Sequence, residues 1–393
     1  MTMELVIAGG GIGGLAAAVA ARRAGWEARL VEQAPEFAEV GAGLQLGPNA
    51  TRRLAAWGLL TPAFIARCAL PQRLRVRDAQ DGRELAAMPL GPDFERRYGA
   101  PYVTLHRADL QQALLEAARA AGARMHTGTR VLAVAERADV VEAVLDDGRR
   151  VEADAAVAAD GVWSALRAQL LADGAAPATG HLAYRTLMPM ADVPAASRTP
   201  EVCAWLGPRM HLVNYPVRGG DWMNVVCVVQ GALPGDPRGW DHEAAAADLK
   251  RAPGPLAAPL RELLDAAAQW RLWALHDRAP VAGAQQMAQG RVALLGDAAH
   301  PMRPYLAQGA AMAIEDAAEL QRVLGVTDGR TIDVPTALQR YALGRWQRCA
   351  RVQARSQRNA RIFHATGALR LARNAALRTL GAKLLDVPWL YRG

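Results

Sequence analysis

Paired cysteines, lysine and long apolar runs are what this chain has least of. Its four cysteines, Cys68, Cys203, Cys227 and Cys349, are scattered and form no C-x-x-C. That spacing argues against a disulfide framework, a zinc ribbon and a dithiol redox centre, and no metal site is expected. Lysine occurs only at Lys250 and Lys383, so the formal charge of +8 rests on arginine spread along the chain. A dispersed charge of this kind is not a nucleic-acid patch. It is a diffuse positive field that favours small anionic substrates. No apolar run is long enough to span a membrane, and the chain enters its first strand without a basic, cleavable leader. A cytoplasmic, soluble protein is the expectation. No internal repeat or low-complexity linker breaks the 393 residues, which suffice for two domains.

What is there is organised around Leu5 to Glu32. Leu5 to Ala8 is a short apolar run of the kind that forms a buried parallel strand. Gly9, Gly11 and Gly14 follow as G-x-G-x-x-G. The first allows a tight turn, the second lets backbone approach a pyrophosphate, and the third lets a helix lie on the sheet. Ala17, Ala18, Ala20 and Ala21 keep that helix slim, and its N-terminus aims N–H groups at phosphate. A second strand ends in Glu32, an acceptor for a ribose hydroxyl. Taken together these predict a dinucleotide site.

The rest of the chain returns to that theme. Gly41 and Gly43 suit close approach to a ligand, and Gln45 is a polar residue in an apolar setting. Asp81-Gly82 marks a hairpin. Arg107 stands at a strand–helix junction, within reach of a phosphate or ribityl chain. Val131 is placed for its backbone to meet an adenine edge. Asp160-Gly161 ends another apolar strand, and Ser164 and Arg167 share a helical face. Residues 181–230 read as a largely antiparallel sheet. His211 and Tyr215, four apart on one strand, share a face, with Cys203 on a neighbouring strand. Residues 244–268 read as helical. Gly296-Asp297 ends a further strand, followed by Pro301, Pro304 and a helix opening near Gly309. The arginine-rich helices after Pro335 either pack on the first domain or form a homodimer surface; both readings stay open.

The segments GGGIGG with Glu32, LHRADL, ADGVWSALR and LLGDAAHPMRPYLAQGAAMAIEDA resemble the FAD-dependent aromatic hydroxylases, the single-component flavin monooxygenases. The likeness runs from Leu5 to about Leu324. Within the family the chain looks similar to salicylate hydroxylase, 3-hydroxybenzoate 6-hydroxylase and 6-hydroxynicotinate 3-monooxygenase. It implies an α/β fold, with a Rossmann-like FAD-binding domain interrupted by a mixed, largely antiparallel substrate sheet and followed by C-terminal helices. The implied division assigns 1–71, 101–178 and 279–334 to FAD, 72–100 and 179–278 to substrate, and 335–393 to the terminal helices.

By the same resemblance, FAD is bound non-covalently by Gly9, Gly11, Gly14, Glu32, Gln45, Arg107, Val131, Asp160, Gly161, Gly296, Asp297, Gly309 and Ala310. NADH or NADPH is a passing co-substrate. A flavin C4a-hydroperoxide formed from O2 would hydroxylate a small hydroxylated aromatic acid. His211, Tyr215 and Pro304 would serve catalysis, and Cys203 and Tyr305 would join His211 and Tyr215 around the substrate. One departure concerns specificity: 3-hydroxybenzoate 6-hydroxylases carry glutamine where this chain has Pro304. The Pro304-Tyr305 pair resembles the salicylate and hydroxynicotinate branches more. A heteroaromatic hydroxylase, an NAD(P)H oxidoreductase without oxygen insertion, and a non-catalytic flavin protein are the alternatives.

Overall fold

A computed structural model describes residues 2–37, 42–231, 235–236, 242–244, 249, 254–327 and 331–393. Gly41 lies outside them. The chain divides into two compact units, one of Met1–Val40, Ala108–Pro177 and His276–Ser356, the other of Gly41–Arg107, Ala178–Leu275 and Gln357–Gly393. The expected division differs in two places. Residues 42–71 and 101–107 join the second unit because the strand Gly43–Leu46 pairs with Val103–His106 in an antiparallel ribbon. That ribbon is pinned to the large sheet: Gly43 N donates to Asn224 Oδ1 at 2.7 Å and Thr104 Oγ1 to Pro216 O at 2.5 Å. The terminal helices also divide, at Ser356.

In the first unit a six-stranded sheet runs in the order Ala288–Gln289, Val292–Leu294, Ala155–Ala158, Glu4–Ala8, Glu27–Val31, Arg124–His126. All neighbours are parallel except the first pair. Leu5, Val6, Ile7 and Ala8 are buried, as the apolar run predicts for a central strand. The alanines of the helix Ile12–Arg23 are fully buried, and that slim face packs against the helix Gly309–Leu324. A three-stranded antiparallel sheet, Val131–Arg137, Val140–Leu145 and Arg150–Ala153, completes the unit's strands among the described residues.

The second unit is built on an eight-stranded sheet: His242–Ala244, Trp270–His276, Ala178–Pro189, Trp222–Gln230, Met210–Val217, Glu201–Gly207, Arg73–Asp78, Glu84–Pro89. Glu201–Gly207 meets Arg73–Asp78 in parallel, whereas Ala178–Pro189 with Trp222–Gln230, Trp222–Gln230 with Met210–Val217, Met210–Val217 with Glu201–Gly207, His242–Ala244 with Trp270–His276, and Arg73–Asp78 with Glu84–Pro89 are antiparallel. Within residues 244–268 the described helical residues are Leu249 and Ala258–Ala266, Ala244 is strand, and 245–248 and 250–253 lie outside the described residues. Pro259, near its start, suits a helix's first turn. Alternation along the strands separates two faces. Cys203, Trp205, Met210, Leu212 and Cys227 pack with Leu260, Leu263 and Leu264 on one face. Tyr215 and Val217 meet Phe94, Tyr98, Tyr102 and Tyr391 on the other. Among the described residues no helix is long and apolar enough to cross a membrane.

Candidate functional site

The first unit presents a cradle whose shape depends on missing side chains. Gly9 sits at φ +102°, and a Cβ there would lie 2.4 Å from Ala159 O. A Cβ on Gly14 would lie 1.8 Å from Gly9 O, so turn and helix can touch only through glycine. Gly11 differs: a Cβ there would meet nothing within 4 Å. It caps the helix Ile12–Arg23 with no side-chain hydrogen bond, leaving the first-turn N–H groups to a ligand. Glu32 braces this loop. Its Oε2 accepts from Gly10 N at 2.5 Å and its Oε1 from Ala34 N at 2.7 Å. Each oxygen keeps a second lone pair for a ribose hydroxyl.

Asp160 follows the strand Ala155–Ala158. Its Oδ2 accepts from Ala165 N at 2.9 Å, whereas its Oδ1 is buried with no hydrogen-bond partner. Burial raises its pKa. An orphaned acceptor of that kind suits a ligand hydroxyl or N–H. Gly161, at φ +78°, faces open space. Val131 opens its strand, buried and in register with Leu145.

Gly296, at φ +61°, turns the chain so that Asp297 is exposed. A Cβ on Gly309 would stand 4.0 Å from Asp297 Oδ1, so the helix Gly309–Leu324, with Ala310 in its first turn, begins beside that carboxylate. Its N-cap, Gln308, makes no side-chain cap bond. In the loop before it Pro304 is exposed, Tyr305 is buried, and Ala307 takes the left-handed φ of +52°. Burial pushes the Tyr305 phenol up.

This turn is held from behind by groups the sequence reading did not single out. Asp316 Oδ2 accepts from Gly296 N at 3.0 Å and pairs with His300 Nε2 at 2.6 Å, while Oδ1 takes Arg345 Nε at 2.7 Å. Burial alone would raise the Asp316 pKa; His300 and Arg345 overcome it and hold the carboxyl at about 2. Cys349 Sγ lies 3.8 Å from Asp316 Oδ1, giving three metal-type donors together. The Arg345 guanidinium already supplies the positive charge a cation would bring. Arg167 Nη1 donates to Ala298 O and Ala299 O, which explains why the Ser164–Arg167 turn and the Asp297 turn belong together.

In the second unit His211 and Tyr215 share a face of the strand Met210–Val217. His211 Nδ1 is 2.9 Å from His364 Nε2, and its ring meets Phe363 edge-on. Burial, then the neighbouring His181, lowers the imidazole's pKa to about 3, so it is neutral at pH 7. Burial raises the Tyr215 phenol, against Arg185 and a hydrogen bond from Gln45. Gln45 Oε1 in turn accepts from Tyr102 OH at 2.8 Å. Gln45, expected beside the cofactor, therefore stands between two tyrosines of the second unit. Arg107 opens its helix as expected, and its N donates to Ala42 O.

Cys203 is a correction. It pairs across the sheet with Asn214, so it points to the opposite face from His211 and Tyr215 and is buried in the apolar cluster there. That burial pushes its thiol up to about 12. Arg185 is the missed residue on the His211 face. Its register with Val226, itself opposite Val213, places it there. Its guanidinium lies 3.8 Å from the Trp273 ring centroid, its Nε is buried without a hydrogen-bond partner, and among the described residues no carboxylate pairs with it. Burial lowers its pKa to about 9, which leaves it charged at neutral pH. His181 and Arg185, four apart in one strand, signalled a shared face; only the pairing shows which face.

The family described as FAD binding domain matches residues 2–355. The chain is 38% identical over 374 residues to 3-hydroxybenzoate 6-hydroxylase of Polaromonas naphthalenivorans, covering 95% of this chain and 91% of that one. It is 36% identical over 362 residues to 6-hydroxynicotinate 3-monooxygenase of Bordetella bronchiseptica, covering 91% of each. Among solved structures, Klebsiella pneumoniae HpxO complexed with FAD and uric acid aligns with a TM-score of 0.84 at 27% identity, over 98% of this chain and 94% of that one. The cradle of Gly9 to Glu32, the orphaned Asp160 oxygen and the Asp297 turn suit a dinucleotide, and by these matches the chain belongs to the FAD-dependent aromatic monooxygenases.

Proposed function

We propose that this enzyme hydroxylates a small aromatic acid bearing a ring hydroxyl, using NAD(P)H and O2. The observation that carries the reading is the face shared by His211, Tyr215 and Arg185: a neutral base, a hydroxyl and a cation with no carboxylate partner. FAD, when bound, supplies the passage of electrons from NAD(P)H to O2. Gly11, Glu32, Asp160 and Asp297 hold it; the substrate groups prepare the ring. Arg185 takes the carboxylate. His211 and Tyr215 remove or share the phenolic proton, which makes the ring electron-rich. The four buried free thiols suit a reducing, cytoplasmic setting.

Monohydroxylated benzoates and 6-hydroxynicotinate, screened for stimulated NADH and NADPH oxidation with product analysis, test the proposal. Oxidation with peroxide as the sole product under every aromatic would support the oxidoreductase reading. The Bordetella relative keeps the heteroaromatic acid as the second candidate substrate.

Two further outcomes are expected. Asp297→Ala should weaken FAD binding by about 1.5–3 kcal/mol, the worth of a charge-assisted hydrogen bond; fluorescence titration with an unchanged Kd would assign the carboxylate another task. Arg185→Gln should raise KM for a carboxylated substrate roughly ten- to a hundredfold by the same magnitude. Its effect on the corresponding amide should be small, and equal losses for acid and amide would remove Arg185 from carboxylate binding.

A further inference from the structure

We propose that His364, just past the helix Val334–Phe363, is the positioning partner that sets the tautomer of His211 and takes over its proton. The inference rests on the role proposed above for His211. The family match stops at residue 355, so His364 belongs to a part of the chain that the match does not explain.

The geometry is a direct contact between two ring nitrogens, His211 Nδ1 and His364 Nε2, 2.9 Å apart. Two imidazoles at that distance hold one hydrogen between them, because two N–H groups would collide and two lone pairs would repel. With the hydrogen on His211 Nδ1, its Nε2 carries the lone pair, which is the tautomer a base needs. Both rings are buried, and the His181 ring lies against the second of them, tilted by 36° with ring centroids 4.9 Å apart.

His211 is poorly suited to keeping a charge, since burial and His181 disfavour its protonated form. A proton accepted there has to move on. The phenolic O–H bond breaks and an N–H bond forms at His211 Nε2. The Nδ1–H bond breaks and an N–H bond forms at His364 Nε2. The substrate is left as phenolate and His364 as imidazolium. That charge arrives at a helix's carboxyl end, where the backbone dipole favours a cation. Arg373 shares this end, with its Nη1 donating to Ile362 O and Phe363 O, and Arg209 N donates to His364 O. His211 and His181 both lie against the His364 ring.

The test uses the full-length, FAD-loaded enzyme carrying His364→Leu or His364→Gln. NADH consumed, product and peroxide are measured in parallel. A nitro-substituted hydroxybenzoate, whose phenolate is coloured, reports the bound ligand's ionisation at neutral pH by difference absorbance. Glutamine keeps a hydrogen-bonding group near Nε2 yet cannot carry a proton. Both variants should therefore lose product per NADH by at least about tenfold and lose the phenolate band, with FAD affinity unchanged. Wild-type coupling and phenolate in His364→Gln would overturn the proposal, and that variant decides alone if the leucine protein does not fold. His211→Gln runs beside them. If it too behaves as wild type, the role of His211 fails; if it uncouples while the His364 variants do not, only the role of His364 fails.

Discussion

An enzyme carrying His211→Ala should still bind FAD and oxidise NADH in the presence of substrate, while hydroxylated product falls by about 10²–10⁴-fold. The difference should appear as hydrogen peroxide. Reduction of the cofactor needs no proton from the substrate hydroxyl, whereas oxygen transfer needs a ring made nucleophilic by losing it. His211 is neutral at pH 7, so it can accept that proton. Tyr215→Phe should uncouple less, because Gln45 and Arg185 remain on that face. The measurement is NADH, product and peroxide in parallel for each variant. Wild-type coupling in both would make the pair packing residues beneath Phe363 and Tyr102.

The second large effect is expected in the first unit. Asp316→Asn should lower stability by about 3–5 kcal/mol, the cost of breaking a buried charged network by removing one partner. Asp316 is fully buried, and an amide cannot accept from Gly296 N, His300 and Arg345 without turning an N–H toward one of them. Arg345 would keep Glu315, at 2.8 Å, and the weaker contact of its Nη2 with Met312 Sδ at 3.9 Å. The urea midpoint of the loaded enzyme should fall, and FAD affinity with it, because the Gly296–Asp297 turn loses its anchor. An unchanged midpoint would show the network to be dispensable.

The pH dependence follows from the same groups. The Asp316 carboxyl is depressed to about 2, so its contribution is whole above the ordinary aspartate range and is lost as pH falls from there through 2. His211 is likewise depressed, to about 3, so unfolding is favoured progressively as pH drops below the ordinary histidine range.

The candidate cofactor cradle is legible in the sequence because its pattern is local. Gly9, Gly11, Gly14 and Glu32 lie within one strand–helix–strand unit, and Asp160 and Asp297 each end an apolar strand, so spacing carries the information. The substrate half depends on which strand lies beside which. His211 and Tyr215 share a strand, and period-2 alternation suffices for them. Cys203 depended on register: opposite Asn214 it faces the apolar cluster, and one residue of slip would have turned it round. Arg185 and His364 reach the His211 face through pairing and through a helix end more than 150 residues away, which no local pattern records. Gln45 reads in the sequence as a polar residue in an apolar setting, and only its ribbon partner Thr104 carries it to the tyrosines.

The bond from Tyr102 to Gln45 has a directional consequence. Tyr102 OH gives its hydrogen to Gln45 Oε1, so the end of the amide left for Tyr215 is its NH2 group. Tyr215 thus receives a hydrogen from one side, and its own hydrogen is left to point elsewhere. Toward a ligand the phenol is a donor. It can steady an aryl oxygen that has become negative, and it is poorly arranged to strip a proton from one that has not. On the proposed reading the relay of amide and two hydroxyls divides the labour on this face: His211 would take the phenolic proton, and Tyr215 would donate to the phenolate that remains. A carboxylate in place of the Gln45 amide would claim the Tyr215 hydrogen for itself and turn that donor away from the ring.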